Sequence, residues 1–267
     1  MAIYTDIADE LYGPQKGQIP SGVKMQTAQS GNIKVTRVQI SRTGLERPAG
    51  RYSTIELPAI AVLDTRKDQY IQTIAQELRQ MLPETGPVLV VGVGNRNITA
   101  DALGPYTAEH ILVTRGFEQT QTAALGLREV AAIAPGVSAK TGLSMIQLLA
   151  GIVRTVKPAA IVCVDSLCTA QQKRLGCTVQ ISDTGLRPAR PQSNRCITRA
   201  MLGVPVLAIG IPTMMEAEEC EQEESELIVI PRRLDSLITK GAALLALSIN
   251  KALQPQFSVE ELNYLAN

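Results

Sequence analysis

The chain has 267 residues, 45% of them hydrophobic, and a formal net charge of +1. That is enough apolar material for one large α/β domain, or for one domain with an elaborated N-terminal part. The near-zero charge gives no strong field for nucleic acid or anionic membranes, and 3% aromatic residues with no Trp leave no stacking platform for single-stranded nucleic acid. No stretch is long and apolar enough to span a bilayer, and MAIYTDIADE is acidic without a signal-peptide core. The five cysteines, at 163, 168, 177, 196 and 220, are odd in number and lack CxxC spacing, so they read as free thiols of a reduced, cytoplasmic compartment.

Residues 1–24 are polar and turn-rich, with Gly13-Pro14 and Pro20-Ser21-Gly22, and read as an exposed start. Ile33–Ile40 alternates apolar and polar residues as a strand does, and Arg51–Val62 suggests another strand interrupted by Pro58. Asp64–Leu82 carries Ile71, Ile74, Leu78 and Leu82 at helical spacing. Val88-Leu89-Val90-Val91 is an uncharged, mostly β-branched run suited to a strand covered on both faces. Gly92 and Gly94 then allow a sharp turn, Asp101 follows, and a helix is expected over Thr107–Arg115.

Glu129–Ala134 gives a short strand and Leu143–Val156 an apolar-faced helix stopped at Lys157-Pro158. Ala159–Val164 is a second buried strand, with Asp165 directly at its end. Thr178–Ile181 and Val204–Ile209 are further strand candidates, and Leu234–Leu253 is a long helix. Strands alternating with helices indicate a doubly wound, mostly parallel α/β sheet. The segment 1–86 forms an N-terminal β- and helix-containing elaboration, and 87–267 the α/β core. The acidic run Glu216–Glu226 reads as a solvated loop.

Ligands and chemistry gather at the carboxyl ends of strands in open α/β sheets. If the strands before Asp101 and Asp165 are parallel neighbours, the two acids meet at one sheet edge. Close carboxyls share a proton, and one proton between two acids is what activates a water against a peptide carbonyl. The alternative for each acid alone is a capping or loop aspartate. Gly92-Val93-Gly94-Asn95-Arg96-Asn97 lacks the third glycine of a dinucleotide fingerprint. Asp183-Thr184-Gly185 spells the pepsin tripeptide in a chain without an all-β pattern. His110 is the only histidine, which speaks against a zinc centre or a Ser-His-Asp triad, and no metal or cofactor is expected. Lys173, Arg174, Arg187, Arg190, Arg195 and Arg199 surround the Asp183 segment, either as a solvated surface or as a pocket for an acidic side chain.

GVGNRNITADALGP, APGVSAKTG, VDSLCTA, VQISDTGLRP and IGIPT occur in one order along the chain. Together they resemble the germination proteases of spore-forming bacteria, densely from Pro87 to Thr213 and again over Pro231–Pro255. Thr5-Asp6-Ile7-Ala8 and Gly50–Glu56 extend the likeness more weakly into the first 86 residues.

The resemblance implies a fold shared with hydrogenase maturation proteases, and an endopeptidase of small acid-soluble spore proteins acting in the spore core by an atypical aspartic mechanism. Asp101 and Asp165 fall on the proposed catalytic acids. The implied cleavage beside an acidic residue makes Arg187 and Arg195 candidate anchors, with Asp183 near the cleft. The resemblance also implies a zymogen that trims itself between Asp6 and Ile7, and a homotetramer. Two rival readings remain, a metal-dependent maturation peptidase of the same fold and a non-catalytic relative that binds spore proteins. Ser166 replaces a small apolar residue after the second acid, and Arg190–Ser193 replaces a glycine-rich stretch.

Overall fold

The computed structural model of the chain describes residues 4–13, 18–64, 68–118, 120, 124–187, 196–216 and 228–266. Nine strands form one sheet among these residues: β1 (Val23–Ser30), β2 (Ile33–Ile40), β3 (Gly50–Glu56), β4 (Val88–Gly92), β5 (Val130–Ile133), β6 (Ala160–Cys168), β7 (Thr178–Ser182), β8 (Val206–Glu216) and β9 (Ile228–Val229). Their order is β1-β2-β3-β7-β8-β6-β4-β5, with β9 paired to β8. The core ladders β8–β6, β6–β4 and β4–β5 are parallel. The β1–β3 meander joins this core antiparallel, through β3 onto β7 and β7 onto β8. The fold is thus the expected α/β sheet with parallel core strands and an N-terminal β elaboration.

Helices cover both faces, as the doubly wound reading requires. Among the described residues, those of five residues or more are α1 (Ala8–Tyr12), α2 (Asp68–Arg79), α3 (Leu103–Glu109), α4 (Met145–Val156), α5 (Leu234–Leu253) and α6 (Val259–Leu265), beside single turns at Ser138–Thr141 and Arg199–Leu202. Side chains on a strand alternate between faces. Val88 and Val90 therefore join the core built by α2, α5 and α6, while Leu89 and Val91 join the core built by α4 around Leu149. A strand buried on both sides has no polar face to spare, which is why Val88–Val91 carries no charge. A third cluster packs α1, through Ala8 and Tyr12, against Val38, Ile40 and Tyr52 of the meander.

Three expectations need correction. The helix expected over Thr107–Arg115 begins earlier, at Leu103, and ends at Glu109. Its last turn is clamped by Asn250 of α5, whose amide donates to His110 O and accepts from Leu112 N. The strand expected to end at Val164 runs on to Cys168, because β8 stays paired beside it and shifts register only between Leu167 and Cys168. Asp165 therefore lies within β6 rather than at its tip. Part of the polar N-terminal segment is not exposed: Ile7 and Ala8 are fully buried, and Thr5, Asp9 and Glu10 are buried with them.

The core closes most tightly where α3 meets β4 and β6. A Cβ on Gly104 would lie 2.2 Å from Val93 O and 2.4 Å from Val164 O, both backbone atoms that cannot swing aside. Overpacking of this kind costs about 1–3 kcal/mol or more. Gly104→Ala is therefore expected to lower the unfolding free energy by at least about 1 kcal/mol, read from the urea midpoint at unchanged slope. An unchanged midpoint would mean that α3 is not seated this closely.

Candidate active site

The first acid is positioned by a turn with no spare room. Beyond β4 the chain keeps following β6 for one residue, with Val93 N donating to Val164 O at 2.8 Å. Gly94 then takes φ +124°, and a Cβ there would lie 2.0 Å from Asp101 O. Only glycine allows that backbone angle and that approach. The loop returns on itself in a 3-10 turn over Thr99–Asp101. The carboxylate of Asp101 accepts from Asn95 N at 2.8 Å, and Asp101 N donates to Ile98 O at 2.8 Å. Thr213 of β8 donates its hydroxyl to Ala100 O at 2.9 Å and fixes the turn to the sheet. Arg96 pairs with Glu109 and lies 4.9 Å over the Tyr106 ring, which ties the loop to α3 from outside. Asp101 itself is half-buried.

The second acid belongs to the sheet. Asp165 is 8% exposed and stands opposite Gly210 of β8. A Cβ on Gly210 would lie 2.2 Å from Asp165 O, so the two strands touch backbone to backbone here. One carboxylate oxygen accepts from Ser166 N at 2.9 Å. Cys163, two residues earlier on the same face, has its thiol pushed up by complete burial and further by the Asp165 charge. It is therefore poorly suited to act as a thiolate.

Because β4 and β6 are parallel neighbours and the Thr99–Asp101 turn packs on β6 and β8, both acids sit at the C-terminal edge of the core strands. When two such carboxyl groups share one proton, the pair supplies a base and a hydrogen-bond donor together.

The N-terminal segment lies beside this edge. Asp6 N donates to Cys168 O at 2.9 Å, and Cys168 N donates to Asp6 Oδ2 at 2.9 Å. Arg47 reaches the same carboxylate at 3.3 Å and also donates to Thr5 O. The pocket that holds Asp6 is lined by Arg47, Tyr52, Leu167, Ser182 and Gly210. Gly210 is the residue opposite Asp165, so this pocket and the second acid share a wall. Burial pushes the Tyr52 phenol up, against the lowering effects of a hydrogen bond to Thr184 and the nearby Arg47 charge.

Of the other residues singled out from sequence, Asp183 is engaged by Arg51. It accepts from Arg51 N and Arg51 Nε, each at 2.7 Å, and so staples the start of β3 to the end of β7. Arg187 is exposed at the pocket rim, where its carbonyl accepts from Arg47 at 3.4 Å. Arg195 and most of the Glu216–Glu226 run lie outside the described residues. Arg174, grouped with surface cations on sequence, is buried and paired with Asp9 at 2.7 Å. Sequence reasoning missed Arg47 altogether: its carboxylate partner is 41 positions away, and no local pattern marks it. Among the described residues no three His, Cys, Asp or Glu side chains come together as a metal site, and no helix is long and apolar enough to cross a membrane.

The family model for germination proteases matches residues 6–224. A germination protease of Caldanaerobacter subterraneus subsp. tengcongensis is 34% identical, over 99% of this chain and 98% of its own length. That of Clostridium tetani is 31% identical over the full length of both chains, and that of Bacillus cereus (strain AH187) is 33% identical over 85% of this chain and 67% of its own. Among solved structures, a [NiFe] hydrogenase maturation protease from Thermococcus kodakarensis matches 65% of this chain at 17% identity and a TM-score of 0.40. The chain belongs to the germination protease family, and is a peptidase.

Proposed function

We propose that this member of the germination protease family is an endopeptidase of small acid-soluble spore proteins, made as a zymogen that removes its own first six residues. The observation that carries the reading is the seating of Asp6. An acidic residue at the implied self-cleavage site is held by Arg47 and by the edge of the strand that bears Asp165. A substrate segment would bind in the same way once residues 1–6 have left. Its backbone would pair with Cys168 at the end of β6, a form of strand addition, and its acidic side chain would take the place of Asp6 against Arg47.

The chemistry then falls to Asp101 and Asp165 sharing one proton. The ionised member takes a proton from water, and the oxygen adds to the scissile carbonyl carbon. The protonated member donates a hydrogen bond to the carbonyl oxygen as negative charge develops there. Collapse breaks the C–N bond, and the proton taken from water passes to the leaving amine. The microscopic assignment belongs to the pair, since coupled acids titrate together. A homotetramer is part of the same reading, and light scattering on the purified chain reads it.

Three outcomes are expected. Asp101→Asn and Asp165→Asn should each reduce cleavage of a small acid-soluble spore protein by about 10²–10⁴-fold while keeping the wild-type melting temperature within a few degrees. Full activity in both variants would overturn the mechanism, and loss of wild-type activity on EDTA treatment would replace it with a metal-dependent one. Arg47→Gln should raise KM about tenfold or more for acidic cleavage sites, with a much smaller effect when the substrate acid is replaced by its amide. Equal effects on both substrates would remove Arg47 from recognition. Mass spectrometry of the wild-type chain held under conditions that give activity should show a new N-terminus at Ile7, absent in Asp165→Asn. An active enzyme that retains Met1 would overturn self-processing.

A further inference from the structure

Three groups that the proposed reaction does not use form a buried charge cluster behind the cleavage site. Asp9 and Glu10 of α1 have side chains 6% and 2% exposed, and Arg174 is 7% exposed. Arg174 lies 2.7 Å from Asp9 and 3.5 Å from Glu10. Glu56 also approaches Arg174, at 3.7 Å, but has its own cation in Lys34 at 2.8 Å. Two buried carboxylates thus share one guanidinium. Glu10 is completed by neutral donors: Thr169 Oγ1 at 2.6 Å, Ala170 N at 2.9 Å and Thr5 Oγ1 at 2.5 Å.

The last of these donors lies upstream of the bond to be cut. Thr5 Oγ1 also accepts from Ile7 N at 3.1 Å, so the Ile7 nitrogen is separated from Glu10 by a single hydroxyl. Hydrolysis of Asp6–Ile7 consumes one water and yields an Asp6 α-carboxylate and an Ile7 α-ammonium. Thr5 leaves with the peptide, and Glu10 loses a buried donor, a costly loss for a carboxylate. Ile7 stays, because Ile7 and Ala8 are both 0% exposed. Its nitrogen gains a positive charge and two further N–H donors where the cluster is short of one cation.

We infer that in the processed chain the Ile7 α-ammonium takes the place of the Thr5 hydroxyl and pairs with Glu10, fixing α1 as the new, buried N-terminus. The inference rests on the self-processing reading for its biological setting, but the contact needs only a chain that begins at Ile7. The charged groups around it are Asp9 on α1, Glu56 on β3, Lys34 on β2 and Arg174 before β7, with Arg47 and Cys168 on the side that the peptide vacates. The first four balance one another, so Glu10 leaves the cluster one positive charge short.

The test compares a chain released at Ile7 from a cleavable leader with one that carries an extra alanine before Ile7, which displaces the ammonium by about 3.8 Å. The Ile7 start should slow amide exchange in α1 about tenfold or more relative to the extended start, and Glu10→Gln should erase the difference. Acylation of the α-amine at neutral pH provides a readout without a second variant: the Ile7 amine should react about tenfold or more slowly than the alanine amine. Equal acylation rates, or a start-dependent protection that survives Glu10→Gln, would overturn the contact. Whether the full chain cuts itself is read separately, by the mass of the wild-type product, so failure of self-processing and failure of this contact are told apart.

Discussion

The arrangement depends on one close contact, the seating of the Asp101 loop and α3 directly on the backbones of β4 and β6. Gly94 and Gly104 stand where a side-chain carbon would lie 2.0 Å and 2.2 Å, respectively, from a main-chain oxygen. Without that approach the loop would ride a side chain's thickness higher. The Thr99–Asp101 turn would then lose its packing on β6 and β8, and with it the placement on which the proposed acid pair depends. The surrounding hydrogen bonds, Asn95 N to Asp101, Thr213 to Ala100 O and Val93 N to Val164 O, hold a geometry that the glycines first make available. A peptidase that works by shared protonation needs its acids at fixed separation, and rigid backbone packing provides this better than two mobile loops would.

The N-terminal segment is built on a different balance. Thr5 and Asp6 are held by polar contacts to Glu10, Cys168 and Arg47, whereas Ile7 and Ala8 are held by apolar burial. The bond between Asp6 and Ile7 is the boundary between these regimes. Of the contacts made by residues 4–6, those of Asp6 at the pocket are ones that water or substrate can replace at about 1 kcal/mol net each, whereas the buried Thr5–Glu10 bond needs a new donor. Removing the residues downstream would expose Ile7, Ala8 and Tyr12 and open the smallest of the three hydrophobic clusters.

How much of this was legible follows the range of the interactions. The core strands announce themselves through short β-branched runs, and Leu234–Leu253 through an uninterrupted stretch of good helix formers, because both signals lie within a single element. The strand–helix–strand order points to parallel core strands, but it left open that β6 would cross back past β5 to pair with β4, which brings the Asp101 and Asp165 segments to one sheet edge. What was not legible depends on partners far along the chain. Asp9 and Glu10 look like solvated charges in a turn-rich leader until Arg174, 165 positions away from Asp9, is seen to bury with them. Asp165 looks like a strand terminus until β8 is seen to run beside it to Cys168.

Under the proposed function, the same long-range dependence would let one acidic residue serve both as part of a precursor and as a mimic of its substrate. The Asp6 carboxylate pairs with Arg47 and accepts from the Cys168 amide. Such a site recognises a charge and a strand edge, which an incoming segment of another protein can also present. In the intact chain, Asp6 occupies that place by being covalently attached, at an effective concentration that a free segment cannot match. On the proposed self-processing, cutting after Asp6 would remove the tether. The released peptide would then compete only as a dilute ligand, and the pocket would pass to substrate without any change in the residues that line it.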